Sequence, residues 1–220
     1  MILLNYIFID LEYNQPFDFG KNGQALPNDA CPFEIVQMGL VKFNQKLEIT
    51  GQRSYLIKPR LYKKIHPYVA RITGFNEKTL AKGQSFEEVY RSFLRFLGRE
   101  KAVFCTWGGA DIRELYRNAL FYGLKDRKLP KRYIDVQKLV GRHLGNGKNC
   151  IGLENAVEAM GIEKSLPFHD ALNDAIYAGE LFRKVKPLTK PDKKGKSRFV
   201  QKINLRKLKD SLRRLSQCAE

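Results

Sequence analysis

The chain has few of the residues that build zinc sites and disulfide frameworks. Its 220 residues include four cysteines and three histidines, and no two cysteines form a CxxC pair. Structural zinc sites need clustered Cys and His ligands, and small disulfide-linked domains need a higher density of cysteine. The sequence therefore argues against both classes and predicts a reduced protein of the cytoplasm.

Long hydrophobic runs are also missing. The apolar opening MILLNYIFI is ended by Asp10 and Glu12, and it has neither a basic flank nor a cleavage site. Such a segment predicts a buried strand rather than a signal peptide or a membrane span. We expect no stable insertion into a membrane.

Acidic residues are scarce relative to basic ones. Forty Lys and Arg stand against 23 Asp and Glu, which gives a formal net charge of +17 and a pI near 9.8. Residues 183–220 alone hold 14 basic and 3 acidic residues. This excess favours a polyanionic partner, either nucleic acid or an acidic membrane surface, and charge alone does not choose between them.

The pattern of apolar residues predicts one α/β domain over residues 1–185. Three β-rich runs come first, and after them helical spacing alternates with short apolar runs. This order indicates a mixed five-stranded sheet, an antiparallel meander followed by parallel strands, flanked by helices. The predicted strands are 3–13, 34–43, 47–58, 102–107 and 132–134, and the predicted helices are 85–97, 110–122, 136–143, 153–160 and 170–185.

Residues 186–220 differ in composition from the domain. Residues 186–198 are rich in Lys, Pro and Gly, which is typical of a solvated linker. Residues 203–216 place four leucines on one helical face and basic residues on the other, which predicts a basic amphipathic helical tail. Such a tail could pack on the domain, bind phosphates of RNA or lie on an anionic membrane.

Two acidic residues, Asp10 and Glu12, lie in the first predicted strand. Because side chains alternate along a strand, both carboxylates point to the face that carries Phe8, about 6.6 Å apart along the strand. Apolar residues flank both of them, and buried carboxylates are costly unless cations neutralise them. Ordinary exposed acids at a strand edge are the alternative.

Three further polar residues lie near predicted helix starts. Asp111 follows a strand and a Gly-Gly turn, where an Asp often serves only to cap a helix. His169 and Asp174 are five residues apart and therefore do not share a helix face. That spacing suits a His at the rim of a site and a carboxylate deeper inside. Taken alone, however, each residue is more typical of a surface His or an ordinary helical Asp.

These residues share one chemistry when they are taken as a set. Four carboxylates without a Cys or His cluster suit hard cations, Mg²⁺ or Mn²⁺, and two such ions balance four negative charges. Two metal ions can stabilise both the attacking and the leaving oxygen of a phosphoryl displacement. A His with a pKa near about 6.5 can take a proton from the attacking water. The candidate catalytic set is Asp10, Glu12, Asp111, His169 and Asp174.

The segments that carry this set resemble the motifs of a known family. FIDLEYN is similar to the first motif of the DEDDh (DnaQ-like) 3′-to-5′ exonucleases, and Asp111 stands where their second motif has its Asp. HDALNDA matches the third motif, His-x-Ala-x-x-Asp-Ala. EIVQMG, the ITG turn at 72–74 and the GL pair at 152–153 are further similarities.

The similarities follow the family order and cover about residues 5–184. The CTWG run at 105–108 resembles the KapD-like bacterial branch and the eukaryotic branch that trims histone messenger RNA. The loop between Asn14 and Pro32 and the basic tail lie outside the common core of the family, which leaves the choice of substrate open.

The resemblance implies an RNase H-like fold and a 3′-to-5′ exonuclease that releases nucleoside 5′-monophosphates from single-stranded nucleic acid, with RNA favoured. It implies that Asp10, Glu12 and Asp174 surround one Mg²⁺ or Mn²⁺ ion, that Asp10 and Asp111 surround a second, and that His169 is the general base. The substrate contacts that it implies are Leu11, Tyr13, Thr73, Gly74 and Phe168.

Two other functions stay open at the level of sequence. One is a single-stranded DNA exonuclease, because recognition of the 2′-hydroxyl depends on geometry. The other is a non-catalytic nucleic-acid-binding module in which the basic tail binds and the acids are relics. The complete carboxylate set argues against the second.

Overall fold

The computed structural model describes residues 5–17, 28–98, 102–124, 129, 131–145, 150–186 and 200–203. The strands are β1 (Asn5–Asn14), β2 (Glu34–Phe43), β3 (Ile49–Leu56), β4 (Ala102–Thr106), β5 (Arg132–Asp135) and β6 (Val200–Lys202). The helices are α1 (Pro67–Thr73), α2 (Glu77–Leu80), α3 (Phe86–Leu97), α4 (Ala110–Phe121), α5 (Val136–His143), α6 (Leu153–Ala159) and α7 (Ala171–Val185). None of the helices in these ranges has the length and apolar character needed to cross a bilayer.

One mixed sheet forms the centre of the fold, in the order β3-β2-β1-β4-β5-β6. β1, β2 and β3 are an antiparallel meander, β4 and β5 run parallel to β1, and β6 pairs antiparallel to β5. The predicted fold class is therefore confirmed, whereas the predicted number of five strands is wrong. The sixth strand comes from Val200–Lys202, inside the segment predicted as linker and tail, and three residues are too few to show a strand period.

Two short helices are also absent from the prediction. α1 begins at Pro67 and ends at Thr73, and it is followed by Gly74, whose φ of 71° is left-handed. With seven and four residues, α1 and α2 are too short for a 3.6-residue period to be recognised. The longer helices agree with the predictions to within one or two residues, and Ser85 caps α3 in the predicted capping box. The predicted tail helix, apart from Ile203, lies outside the described residues.

Alternation along β1 divides the core into two layers. Ile7, Ile9 and Leu11 belong to the cluster that contains the buried residues of α3 and α4. Phe8 belongs to the cluster that contains those of α5, α6 and α7. Asp10 and Glu12 lie two and four residues after Phe8, so their side chains point to the same face of the sheet as that of Phe8. This face is the one that α7 covers.

A glycine in β2 brings the start of α7 close to the sheet. A Cβ atom at Gly39 would lie 2.0 Å from the backbone oxygen of Ala171, which no side chain can tolerate. Gly39 is also the cross-strand partner of Asp10. The first turn of α7 is therefore held next to the part of β1 that carries the two acids.

Candidate active site

The candidate site lies at the edge of the sheet where the parallel strands end. β1, β4 and β5 run in the same direction, so their carboxyl ends and the segments that follow them meet at one edge. Asp10 and Glu12 are in the second half of β1, and Asp111 is in the first turn of α4, shortly after β4. Asp174 comes from the first turn of α7.

Three of the predicted residues form a compact group. The ligand atoms of Glu12, His169 and Asp174 all lie within 4.8 Å of one another. Glu12 and Asp174 are each 8% exposed, whereas His169 is exposed. The backbone N–H of His169 donates to Oδ2 of Asp174 at 3.2 Å. The histidine thus stands at the rim and the carboxylates lie deeper.

Asp10 and Asp111 extend this group into a cluster of four carboxylates. Burial raises the pKa of Asp10 well above its usual value, and the charges of Asp111, Asp174 and Glu12 raise it further. Burial is also the main cause that raises the pKa of Glu12 to about 8 and those of Asp111 and Asp174 to about 7. In the absence of cations, the carboxylates therefore destabilise one another in their charged forms.

Asp111 does not act as a helix cap. The residue at the N-cap of α4 is Gly109, which makes no side-chain capping bond. Oδ1 of Asp111 instead accepts a hydrogen bond from the hydroxyl of Tyr13 at 2.6 Å, and Asp111 is only 6% exposed. Its carboxylate is thus oriented by a residue of β1.

The donor set fits hard divalent cations. Oδ1 of Asp174 is buried and makes no hydrogen bond to any described residue. The neighbouring charges with the largest effect on the pKa values of Asp10 and Glu12 are carboxylates, so this effect is repulsive. Carboxylate oxygens are preferred ligands of Mg²⁺ and Mn²⁺. A cation would satisfy the unpartnered oxygen and relieve the repulsion.

The predicted substrate contacts fall into two groups, of which the first adjoins the carboxylates. Leu11 is 3% exposed and packs in the α3 and α4 layer, so its side chain offers little surface to a ligand. Tyr13 is half-buried and bound to Asp111. Phe168 is half-buried and stacks on Tyr177, with ring centroids 4.7 Å apart.

The second group, Thr73 and Gly74, lies at the far end of α1. The hydroxyl of Thr73 donates to the carbonyl of Val69 at 2.8 Å, and Gly74 is exposed. The start of α1 is tied to β1 because Asn14, fully buried, accepts the backbone N–H of His66 at 2.9 Å. Thr73 and Gly74 are thus about 10 Å along the helix from that junction.

Two buried or half-buried polar residues at the site were missed by the sequence analysis, Gln37 and Asp170. Oδ1 of Asp170 caps α7 by accepting the N–H groups of Leu172 and Asn173, each at 3.1 Å. Its Oδ2 accepts from Nε2 of Gln37 at 2.7 Å, and Oε1 of Gln37 accepts the N–H of Ala171 at 3.0 Å. The sequence did contain a signal for Gln37, because it is a polar residue within the largely apolar run EIVQMGLV.

We expect the stability of the metal-free protein to fall as the pH rises from about 5 to 8. Carboxyl groups whose pKa is raised by folding keep protons that the unfolded chain releases near pH 4. Their contribution is therefore full below about pH 4 and is lost as the pH passes the folded values of about 7 and 8. Mn²⁺ binds the deprotonated carboxylates, so its stabilising effect should grow over the same range.

Thermal unfolding with EDTA and with Mn²⁺, at several pH values, measures both trends. Asp10→Asn should raise the Tm of the EDTA-treated protein at about pH 8 by several degrees, since about 1 kcal/mol shifts the Tm of a chain of this size by about 2–4 °C. The same substitution should also reduce the increase in Tm that Mn²⁺ produces. Glu163→Gln, at an exposed carboxylate outside the cluster, should change neither. A metal-free Tm that does not depend on pH would contradict the mutual repulsion of the carboxylates.

The chain is similar to known exonucleases over most of its length. The family that matches is the exonuclease family RNase_T, over residues 7–182. A curated relative, the probable 3′-5′ exonuclease KapD of Bacillus subtilis (strain 168), is 25% identical over 180 residues, which cover 81% of this chain and 83% of KapD.

Solved structures share the fold. The nuclease domain of 3′hExo, a DEDDh family member bound to rAMP, matches with a TM-score of 0.66 and 17% identity, covering 83% of this chain and 92% of that domain. A 3′-exonuclease that recognises the 3′ end of the histone mRNA stem-loop matches with a TM-score of 0.68 and 15% identity, covering 93% and 92%. At these identities the likeness shows the fold alone, and it is the RNase H-like fold that the motifs implied.

The matched range runs from β1 into α7 and includes all five residues of the candidate catalytic set. The match ends before the basic residues 183–220. Members of the family use divalent metal ions, in agreement with the oxygen-rich cluster. The chain belongs to the exonuclease family and is a DEDDh-like 3′-to-5′ exonuclease.

Proposed function

We propose that this protein removes nucleotides from the 3′ end of single-stranded RNA, using two divalent cations, Mg²⁺ or Mn²⁺, and releasing nucleoside 5′-monophosphates. The observation that carries the proposal is the cluster of four mutually repelling carboxylates beside an exposed histidine. Buried charged carboxylates are costly, and cations in the cluster would remove that cost.

The four carboxylates would be the ligands of the two cations. Asp10, Glu12 and Asp174 would hold one cation, and Asp10 and Asp111 the other. When bound, the two ions stabilise the charge on the attacking and leaving oxygens of the phosphoryl displacement. Tyr13 orients the carboxylate of Asp111 through its hydroxyl.

His169 would act as the general base. It is exposed at the rim, and a ligand atom of its ring lies within 4.8 Å of those of Glu12 and Asp174. It would take a proton from the water whose oxygen bonds to the phosphorus, while the bond to the 3′-oxygen of the preceding nucleotide breaks. The leaving oxygen then takes a proton from solvent.

RNA is the favoured substrate because of the solved relatives. One of them recognises the 3′ end of a histone mRNA stem-loop, and another was solved with rAMP. We propose that the terminal nucleotide is contacted by the five residues named from the motifs: Leu11, Tyr13, Thr73, Gly74 and Phe168. Single-stranded DNA is the second candidate.

We propose that the protein acts in the cytoplasm. Among the described cysteines, Cys31, Cys105 and Cys150 are free thiols. Free thiols suit a reducing compartment.

The purified protein with Mn²⁺ should shorten a 5′-labelled single-stranded RNA stepwise from its 3′ end, and a DNA strand of the same sequence more slowly. Asp10→Asn should lower the rate by at least about 100-fold, the scale of losing an electrostatic group that acts in the transition state. Glu163→Gln should keep the wild-type rate. Denaturing gels give the ladder, and chromatography identifies the released nucleotide.

Two outcomes of that assay separate the parts of the proposal. Intact RNA and intact DNA, with Mg²⁺ and with Mn²⁺, would overturn the assignment of catalysis to this cluster. Equal or faster digestion of DNA would overturn only the preference for RNA.

We also propose that residues 1–185 carry the chemistry and that the basic C-terminal segment adds affinity for nucleic acid. Val200–Lys202 pairs with β5, and Ile203 packs against the core, so the chain returns to the sheet before its last 17 residues. Residues 204–220 hold five Lys and Arg against two Asp and Glu. This charge suits contacts with the phosphates of an RNA strand.

A chain that ends at Ile203 should bind RNA more weakly while keeping β6. The logarithm of its binding constant should fall less steeply with the logarithm of the salt concentration. The reason is that each phosphate contact with a single strand contributes about 0.7 to that slope. Replacing the five basic residues of 204–220 by Gln in the full chain should have the same effect. Fluorescence anisotropy at several salt concentrations measures this. Unchanged affinity and slope would contradict the RNA contact, and binding of the segment to anionic vesicles instead would assign it to membranes.

A further inference from the structure

A glutamine of β2 is hydrogen-bonded to the two residues that follow His169. Nε2 of Gln37 donates to Oδ2 of Asp170 at 2.7 Å, and Oε1 of Gln37 accepts the backbone N–H of Ala171 at 3.0 Å. Gln37 is 5% exposed. We call this pair of hydrogen bonds the Gln37 clamp. One bond has a carboxylate acceptor, and charge-assisted bonds are stronger than neutral ones.

The position of Gln37 in the sheet makes the clamp relevant to catalysis. Gln37 is the cross-strand partner of Glu12 in the pairing of β1 with β2. The clamp therefore connects the start of α7 to the strand position directly opposite Glu12.

His169 itself has an unusual backbone. Its φ is +61°, in the left-handed region that residues with a Cβ atom rarely adopt. Such a conformation costs free energy and persists only where neighbouring contacts impose it. It also aims the exposed imidazole, because a change of φ at this residue would move the whole side chain.

Contacts on the N-terminal side of His169 come from α7. The hydroxyl of Tyr177 bonds both the N–H and the carbonyl of Leu166, each at 2.8 Å, and its ring stacks on Phe168. These contacts would move together with α7 and do not fix its place on the sheet. The Gln37 clamp differs because it joins the turn at residues 169–171 to β2, a strand of the sheet.

We propose that Gln37 and Asp170 are positioning residues, whose hydrogen bond holds the left-handed turn at His169 and the start of α7 at the separation from Glu12 that the reaction requires. The inference rests on the proposed function and extends it to residues that do not touch the substrate. A glutamine suits the role because its amide supplies a donor for Asp170 and an acceptor for Ala171. It does so without adding charge next to the four carboxylates.

The clamp can be separated from the helix cap by mutation. Asp170 caps α7 with Oδ1 and meets Gln37 with Oδ2. Asp170→Asn keeps a capping oxygen, since Asn is as good an N-cap as Asp, but it turns an NH₂ group towards the NH₂ group of Gln37. Gln37→Glu keeps an acceptor for Ala171 but places two carboxylates face to face.

Each single variant should lower kcat on single-stranded RNA by about 10- to 100-fold, the range found when groups that orient a site are removed. KM should change by less than about twofold, because the substrate contacts are not altered. Ser54→Ala is the matched control. It removes only the 3.2 Å contact between Gln37 and an exposed serine, outside the clamp, and should keep the wild-type kcat.

The double variant Gln37→Glu/Asp170→Asn is the decisive test. It reverses the hydrogen bond, with the new amide donating to the new carboxylate, and it preserves the net charge and the acceptor for Ala171. The kcat should return to within about threefold of wild type, which is not expected of two independent structural defects.

Hydrogen exchange of the metal-free variants gives a readout that does not depend on activity. Segment 168–174 should exchange faster in each single variant and at the wild-type rate in the double variant. Single variants with wild-type kcat, or a double variant no faster than the slower single variant, would overturn the proposal. If the wild-type protein digests neither RNA nor DNA, the proposed function fails, and the exchange pattern still decides whether the clamp holds the turn.

Discussion

The repulsion among four carboxylates at one edge of the sheet is the constraint on which the rest of the site depends. Burial and neighbouring charge raise the pKa of Asp10, and burial raises those of Glu12, Asp111 and Asp174. The two apolar layers on either side of the sheet supply the stabilisation that offsets this cost. Cation binding then becomes part of the stability of the protein as well as of its chemistry, because the same charges drive both.

Holding like charges together requires contacts that do not come from the carboxylates themselves. Gly39 lets the backbone of α7 approach the strand that pairs with β1. Tyr13 orients Asp111, and Gln37 joins β2 to the residue that follows His169. Each contact joins elements that are far apart in the sequence, so the geometry of the site depends on the whole fold and not on any single motif.

The residue types and their local setting could be predicted from the sequence. The alternation of β1, the first-turn position of Asp111 and the entry of α7 at residue 171 follow from short-range patterns. The contacts that orient the site could not be predicted, because Tyr13 is 98 residues from Asp111 and Gln37 is 133 residues from Asp170. β6 was missed for a different reason, since its three residues lie in a basic segment that carries no strand period.

The central claim is that the cluster binds two divalent cations, and crystals grown with Mn²⁺ test it most directly. Anomalous diffraction should show two manganese peaks, one among the carboxylates of Asp10, Glu12 and Asp174 and one between those of Asp10 and Asp111. Both peaks should be lost in the Asp10→Asn variant. A well-ordered cluster without manganese, or manganese bound only elsewhere on the protein, would contradict the account.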